Sequence, residues 1–296
     1  MFGDDIVVET RLNPPRLPRH WLHRPRLDQL LAGAAEYPLT IVSASAGYGK
    51  SSALAAFAAR GGWPVIWYSL DEAVADPLVF LLHLVHACRK IAPQAGARAI
   101  TLLEQHSQGT QFWAQALDTL INDLARMLDD ETILVLDDQH AADDTPLTGA
   151  LIERLIERAP PQLHMLLASR HWPSLGCLPI RQARGELLAI GEHELAFDAD
   201  EINTLFQSAE RPALSLAEAT NIFEQTGGWP IALQLLWQSN QRTMNDEDRT
   251  MSSTTEDARS SFSAHRSALS TRTLPRLTGC AFRRAKLSGR YMPTSR

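Results

Sequence analysis

Five short apolar runs recur along the chain, separated by stretches with helical spacing. Leu39–Ser43, Val65–Leu70, Ile133–Asp138, Leu163–Arg170 and Glu186–Ile190 each read as a strand. Their near-continuous hydrophobic character suits parallel strands covered on both faces. Between them the period changes to 3.6. A helix is predicted over Arg26–Ala35, and an alanine-rich helix over Ala53–Arg60, stopped by Gly61-Gly62. Asp76-Pro77 supplies an N-cap and a first-turn proline for a helix over Leu78–Ile91, apolar at 78, 81, 82, 84, 85 and 88. Further helices are expected over Thr110–Leu128 and Thr148–Arg158, the latter ended by Pro160-Pro161. Alternating strands and helices imply right-handed βαβ units and a parallel sheet.

The pattern differs at both ends. Residues 11–27 are rich in Pro and Arg and read as extended up to Pro25. After Phe197 only helices are predicted. Asp198 and Glu201 form a capping-box pair, Leu216–Gln225 is stopped by Gly227-Gly228, and Trp229–Trp237 opens a third helix. The expected layout is a leading segment 1–25, a sheet domain 26–195, a helical lid 196–239 and a tail 240–296.

One connection carries recognisable chemistry. Between the first strand and the alanine-rich helix stands Ala44-Ser45-Ala46-Gly47-Tyr48-Gly49-Lys50-Ser51-Ser52. This fits a phosphate cradle of the form [Gly or Ala]-x-x-x-x-Gly-Lys-[Ser/Thr]. A di- or triphosphate needs several N–H donors in a concave loop, and small residues let the backbone approach it. Lys50 would reach the β- and γ-phosphates, the Ser51 hydroxyl would ligate Mg²⁺, and the helix from Ser51 would aim its dipole at the phosphates. Ala44 replaces a glycine, so a positive φ there would be strained. The fold class expected is α/β, a P-loop NTPase with a five-stranded, mainly parallel sheet followed by a small helical lid.

Two strand ends add candidates. Ile133-Leu134-Val135-Leu136 runs into Asp137-Asp138 at the end where open α/β sheets bind ligands. Asp137 would hold Mg²⁺ and Asp138 would orient or deprotonate an attacking water; the plainer reading is that the pair stops a strand. The fourth strand ends in Arg170, placed to stabilise transferred phosphoryl charge, or else a surface arginine. His140 reads as a neighbour of this site or as solvent-exposed, since phosphate-bound Mg²⁺ prefers oxygen.

Charge and composition narrow the partners. Across 296 residues the net charge is −6, but residues 240–296 carry eleven Lys and Arg against five Asp and Glu, a local +6 that leaves −12 on the first 239. An acidic body argues against a large nucleic-acid footprint there. No apolar run approaches a membrane span and no signal pattern opens the chain, so a cytoplasmic location is the expectation. Cys88, Cys177 and Cys280 show neither disulfide nor zinc spacing; Cys88 reads as a core residue and the others as incidental. The tail has no Ile, Val or Trp and is expected to be disordered. It reads either as a natural basic tail or, the favoured reading, as the end of a truncated or out-of-frame chain.

These motifs together resemble the ATPase region of MalT-type, LuxR-family transcription regulators, within the STAND class of signalling P-loop NTPases. The resemblance rests on Leu17-Pro18 with Arg24-Pro25-Arg26-Leu27, SASAGYGKS at 43–51, LVLDDQH at 134–140, LLASR at 166–170, RGELLAIG at 184–191 with LAFDADEI at 195–202, and Gly228-Trp229-Pro230. It implies ATP or ADP with Mg²⁺ as ligand, slow hydrolysis used as a switch, Arg24 near the nucleotide and Pro230 against the adenine. Besides ATP, the partner expectation is self-association or co-assembly with full-length relatives. The family's sensor repeats and helix-turn-helix are not visible in this sequence. A stand-alone P-loop kinase and a non-functional fragment are the competing readings.

Overall fold

The computed structural model describes residues 6–18, 21–105, 110–207 and 214–239. The chain divides into two units, Met1–Thr243 and Met244–Arg296. The expected tail, with Cys280, lies outside the described residues.

Five strands form one sheet: β1 (Leu39–Ser43), β2 (Val65–Ser69), β3 (Thr132–Asp137), β4 (Leu163–Ser169) and β5 (Leu187–Ile190). Their order is β2-β3-β4-β1-β5, and every pair is parallel. The helices are α1 (Pro25–Ala32), α2 (Lys50–Ala59), α3 (Pro77–Arg89), α4 (Ala97–Gln105), α5 (Thr110–Met127), α6 (Pro146–Arg158), α7 (Leu178–Ala183), α8 (Glu192–Leu195), α9 (Ala199–Gln207) and α10 (Leu216–Thr226). Residues 230–239 form a further helix, α11.

The period-2 alternation of the strands divides the sheet domain into two cores. Leu39 and Ile41, Leu134 and Leu136, and Met165 and Leu167 face α3, α5 and α6. Val42, Ile133, Val135, Leu166 and Ala168 face the other way, onto Leu27 and Leu31 of α1 and Leu54 and Phe57 of α2. The lid has its own small core of Ile202, Phe206, Leu233 and Trp237. No helix among the described residues is long and apolar enough to cross a membrane.

Several boundaries differ from the sequence expectation, each for a local reason. The first helix begins on Pro25 rather than Arg26, because proline's fixed φ suits the first helical position. It gives way at Gly33 to a 3₁₀ turn ending at Glu36. A 3₁₀ turn over Glu9–Leu12 interrupts the leading segment and buries Leu12 against the sheet core. Helix α6 likewise starts two residues early, on Pro146. Cys177 is not incidental: it is buried in the main core.

Candidate functional site

The sheet order brings the functional side chains together at the C-terminal ends of β1, β3, β4 and β5. Register places Ser43 opposite Ser169 and Val42 opposite both Ala168 and Ile190. The loop after β1 therefore emerges between Arg170 and the turn after β5.

Gly47 (φ 83°) and Gly49 (φ 75°) hold left-handed conformations that reverse the chain into α2. Ala44 needs no such conformation: it is buried, and its N–H donates to Ser169 O at 3.2 Å. The methyl at the first cradle position is thus accommodated. Among the described residues, the amide N–H groups of 46–52 donate no hydrogen bond to a protein acceptor. They surround the start of α2, which begins on Lys50, one residue earlier than expected.

Lys50 is 7% exposed. Its Nζ donates to Ala44 O at 2.5 Å and to Ser45 O at 3.2 Å, clamping the two ends of the loop. Burial lowers its pKa, partly countered by Asp138 and Asp137. Ser51 Oγ donates to Asp137 Oδ1 at 3.0 Å, and the Asp138 N–H donates to the same oxygen at 3.0 Å. Burial nonetheless pushes the Asp137 carboxyl up to about 6. A carboxylate and a serine hydroxyl in contact beside unpartnered amides fit an oxygen-ligated divalent cation with a polyphosphate.

Removing the buried charge gives a test. Between pH 4 and 6 the folded state holds the Asp137 proton that the unfolded state has released, so this group's burial lowers stability as pH rises and costs most above pH 6. In metal-free buffer at pH 7.5, Asp137→Asn should therefore be more stable than the parent by about 2 kcal/mol, an advantage that fades as pH falls from 6 to 4. Denaturant titrations at the two pH values check it; equal stability at pH 7.5 would contradict the buried charge.

Asp138 is not part of the strand. It adopts the left-handed conformation (φ 55°, ψ 40°), the one non-glycine residue with positive φ among those described. Its carboxylate lies 3.8 Å from His140 Nδ1. His140 is partly buried rather than solvent-exposed, and burial lowers its pKa. Arg170 is exposed at the end of β4, close enough for its charge to act on Lys50 and His140.

The lid closes over the loop. The Ile231 N–H donates to Gly47 O at 3.2 Å, and Trp229 Nε1 donates to Ala46 O at 3.3 Å. A Cβ at Gly47 would lie 2.7 Å from Ile231 Cγ2. Between loop, leading segment and lid lies a cavity of about 340 Å³, lined by Pro18, Trp21, Leu22, Arg24, Tyr48, Ser52, Phe197, Leu205, Pro230 and Trp237 among others. Arg24 borders it, but its guanidinium mostly serves structure. Nη1 donates to Leu195 O at 2.8 Å, and Nη2 donates to Ala196 O at 2.6 Å and Glu201 at 2.8 Å. The guanidinium carbon lies 4.1 Å from the Phe197 ring centre, and Nε is buried without a hydrogen-bond partner. Glu201 also caps α9 reciprocally with Asp198, as the sequence predicts.

Sequence reasoning missed Glu192. Its Oε1 accepts from Ser45 N at 2.9 Å and from Ser45 Oγ at 2.5 Å. Its position two residues beyond β5, at the ligand-binding end of a parallel sheet, was the available signal.

An all-parallel sheet in which β4 separates the loop-bearing strand from the acidic strand, with the cradle opening toward Asp137, is the architecture of a P-loop NTPase. Over 233 residues the chain is 29% identical to the HTH-type transcriptional regulator MalT of Cronobacter sakazakii (strain ATCC BAA-894), and it is a homologue of that protein. The match covers 78% of this chain and 25% of MalT, so the chain spans about a quarter of the length of this curated relative. No family model matches the chain. Among solved structures it is similar to the STAND protein with a tetratricopeptide repeat sensor PH0952 of Pyrococcus horikoshii (TM-score 0.48, 13% identity, 76% of this chain and 31% of that one). It is also similar to the Walker-type ATPase paby2304 of Pyrococcus abyssi (TM-score 0.47, 16% identity, 83% and 78%).

Proposed function

We propose that residues 1–239 form the ATP-binding, slowly hydrolysing switch module of a MalT-like transcriptional regulator. The observation that carries this reading is the cradle: seven consecutive amides that donate to no acceptor among the described residues, arranged around buried Lys50, with Ser51 and Asp137 in contact beside them. In this reading the amides of 46–52 and Lys50 bind the phosphates. Ser51 and Asp137 hold Mg²⁺, which when bound neutralises phosphate charge. The adenine enters the cavity between Tyr48, Trp21 and Pro230, where Arg24 Nε retains one donor. Asp138, turned out of the sheet, orients the attacking water, and Arg170 faces the developing negative charge. The lid reads the occupant through its bonds to Ala46 and Gly47. Self-association remains part of the proposal, since signalling by such a module requires a partner surface.

Asp138→Asn tests the division of labour. The variant should bind Mg-ATP with the parent's affinity and release phosphate about a hundredfold more slowly. Phosphate release under single-turnover conditions measures it. Hydrolysis at the parent's rate would remove Asp138 from the mechanism.

A further inference from the structure

Glu192 puts a negative charge where the cradle is built to receive one. Strand β5 pairs with β1 at the sheet edge, and its last residue, Ile190, lies opposite Val42. Gly191 follows, its N–H held by Glu194 at 2.8 Å, and Glu192 then opens the four-residue helix α8. This geometry delivers the carboxylate to the near rim of the loop. There it accepts the Ser45 N–H and Oγ–H. Lys50 lies close enough to act on it electrostatically. The carboxylate thus uses one loop amide, one loop hydroxyl and the field of the loop lysine. Those are the groups an incoming phosphate oxygen at that rim would use.

We propose that Glu192 competes with the terminal phosphate for the rim of the cradle, so that the chain favours a nucleoside diphosphate over the triphosphate. The inference rests on the nucleotide-binding reading above. The diphosphate is bound by the deeper part of the loop, around Lys50 and the start of α2, and leaves the Ser45–Glu192 contact intact. A third phosphate brings further negative charge to the rim. Either the carboxylate swings out, losing its contacts with Ser45, or two anions share the site. The Ser45 bonds hold the Glu192 pKa below the usual carboxylate range, so the competing group is an anion throughout neutral pH. Glu192 itself is exposed, so displacement leaves the core untouched.

The test uses the full chain, with ADP and ATP, each with Mg²⁺, titrated calorimetrically into the parent, Glu192→Gln, Glu192→Ala and Lys50→Ala. ADP binding to the parent that is lost in Lys50→Ala establishes the underlying site independently of Glu192. On that footing, both Glu192 variants should tighten ATP binding about tenfold, roughly 1.4 kcal/mol, with ADP affinity changed less than twofold. An unchanged ratio of ATP to ADP affinity overturns the proposal, and so does an equal gain for both nucleotides, which would place the carboxylate away from the terminal phosphate. If the parent binds neither nucleotide, the site reading fails and this inference falls with it. Unfolding curves without ligand should coincide for the parent and both Glu192 variants, so that a change in affinity reports the site and not the fold.

Discussion

Lys50→Ala should reduce ATP and ADP affinity by a hundredfold or more. The ammonium is the main positive charge inside the cradle, and burial makes its interaction with phosphate stronger than a surface lysine's would be. Its lowered pKa has the same origin: the site withholds solvent from a cation whose full compensation must come from an anion. Alanine would also release the carbonyls of Ala44 and Ser45, to which Nζ now donates, so the loop would lose its clamp as well as its charge. A thermal melt reads both effects. Ligand at about 100 times its dissociation constant stabilises the native state by about 2.7 kcal/mol, which is an upward shift of roughly 5–10 °C for a domain of this size. The parent should show that shift with Mg-ADP and the variant should not. An undiminished shift in Lys50→Ala would mean that the nucleotide binds elsewhere.

Gly228→Ala is expected to unseat the lid, at a cost of about 3 kcal/mol or more. The residue has φ 71°, and an added Cβ would press into the Phe197 carbonyl oxygen while lying 3.0 and 3.1 Å from the Phe197 nitrogen and carbonyl carbon. All three atoms belong to backbone, so no rotamer change relieves the clash. The two strands of chain cannot simply part, because the Phe197 N–H donates to Gly228 O at 2.9 Å and the Phe197 ring covers the Arg24 guanidinium. Gly227 provides the control. It too has positive φ (61°), but a Cβ there meets nothing within 4 Å, so Gly227→Ala should cost only the conformational strain of about 1 kcal/mol. Denaturant melts and protease sensitivity of residues 196–239 distinguish the two variants. Equal stability for both would show that Phe197 and Gly228 are not in close contact.

Much of this arrangement is legible in the sequence because it is local. Strand β1 falls on Leu39–Ser43 as its apolar run predicts, and the cradle's glycines, Lys50 and Ser51 stand in a fixed spacing that the fold preserves. The Asp198–Glu201 cap is likewise a short-range pattern. What the sequence hides is set by distant partners. Arg24 carries the resemblance to nucleotide-contacting arginines, yet most of its donors go to Leu195, Ala196 and Glu201, more than 170 positions away. Glu192 attracts no notice until the sheet order sets β5 beside β1. Asp138 reads as the last residue of a strand because a Leu-Val-Leu-Asp-Asp run gives no sign of a left-handed bend. Helix α4 is not legible in the sequence, because its apolar positions, Ala99, Ile100, Leu102 and Leu103, lie in a stretch with no Ser, Thr, Asp or Asn cap at its start.

The strand that bears the cradle sits between β4 and β5, and that placement has a consequence for how the molecule is made. Leu39 pairs with Met165 and Leu187, residues that leave the ribosome more than 120 positions later. At typical synthesis rates of about 5–20 residues per second, β1 waits roughly 6–25 s for its first neighbour. During that interval β2 and β3 can already pair, whereas β1 and its glycine-bearing loop have no sheet to join. The cradle is therefore among the last parts of the sheet domain to be assembled, and residues 39–57 of a nascent chain have no sheet to pack on until β4 arrives.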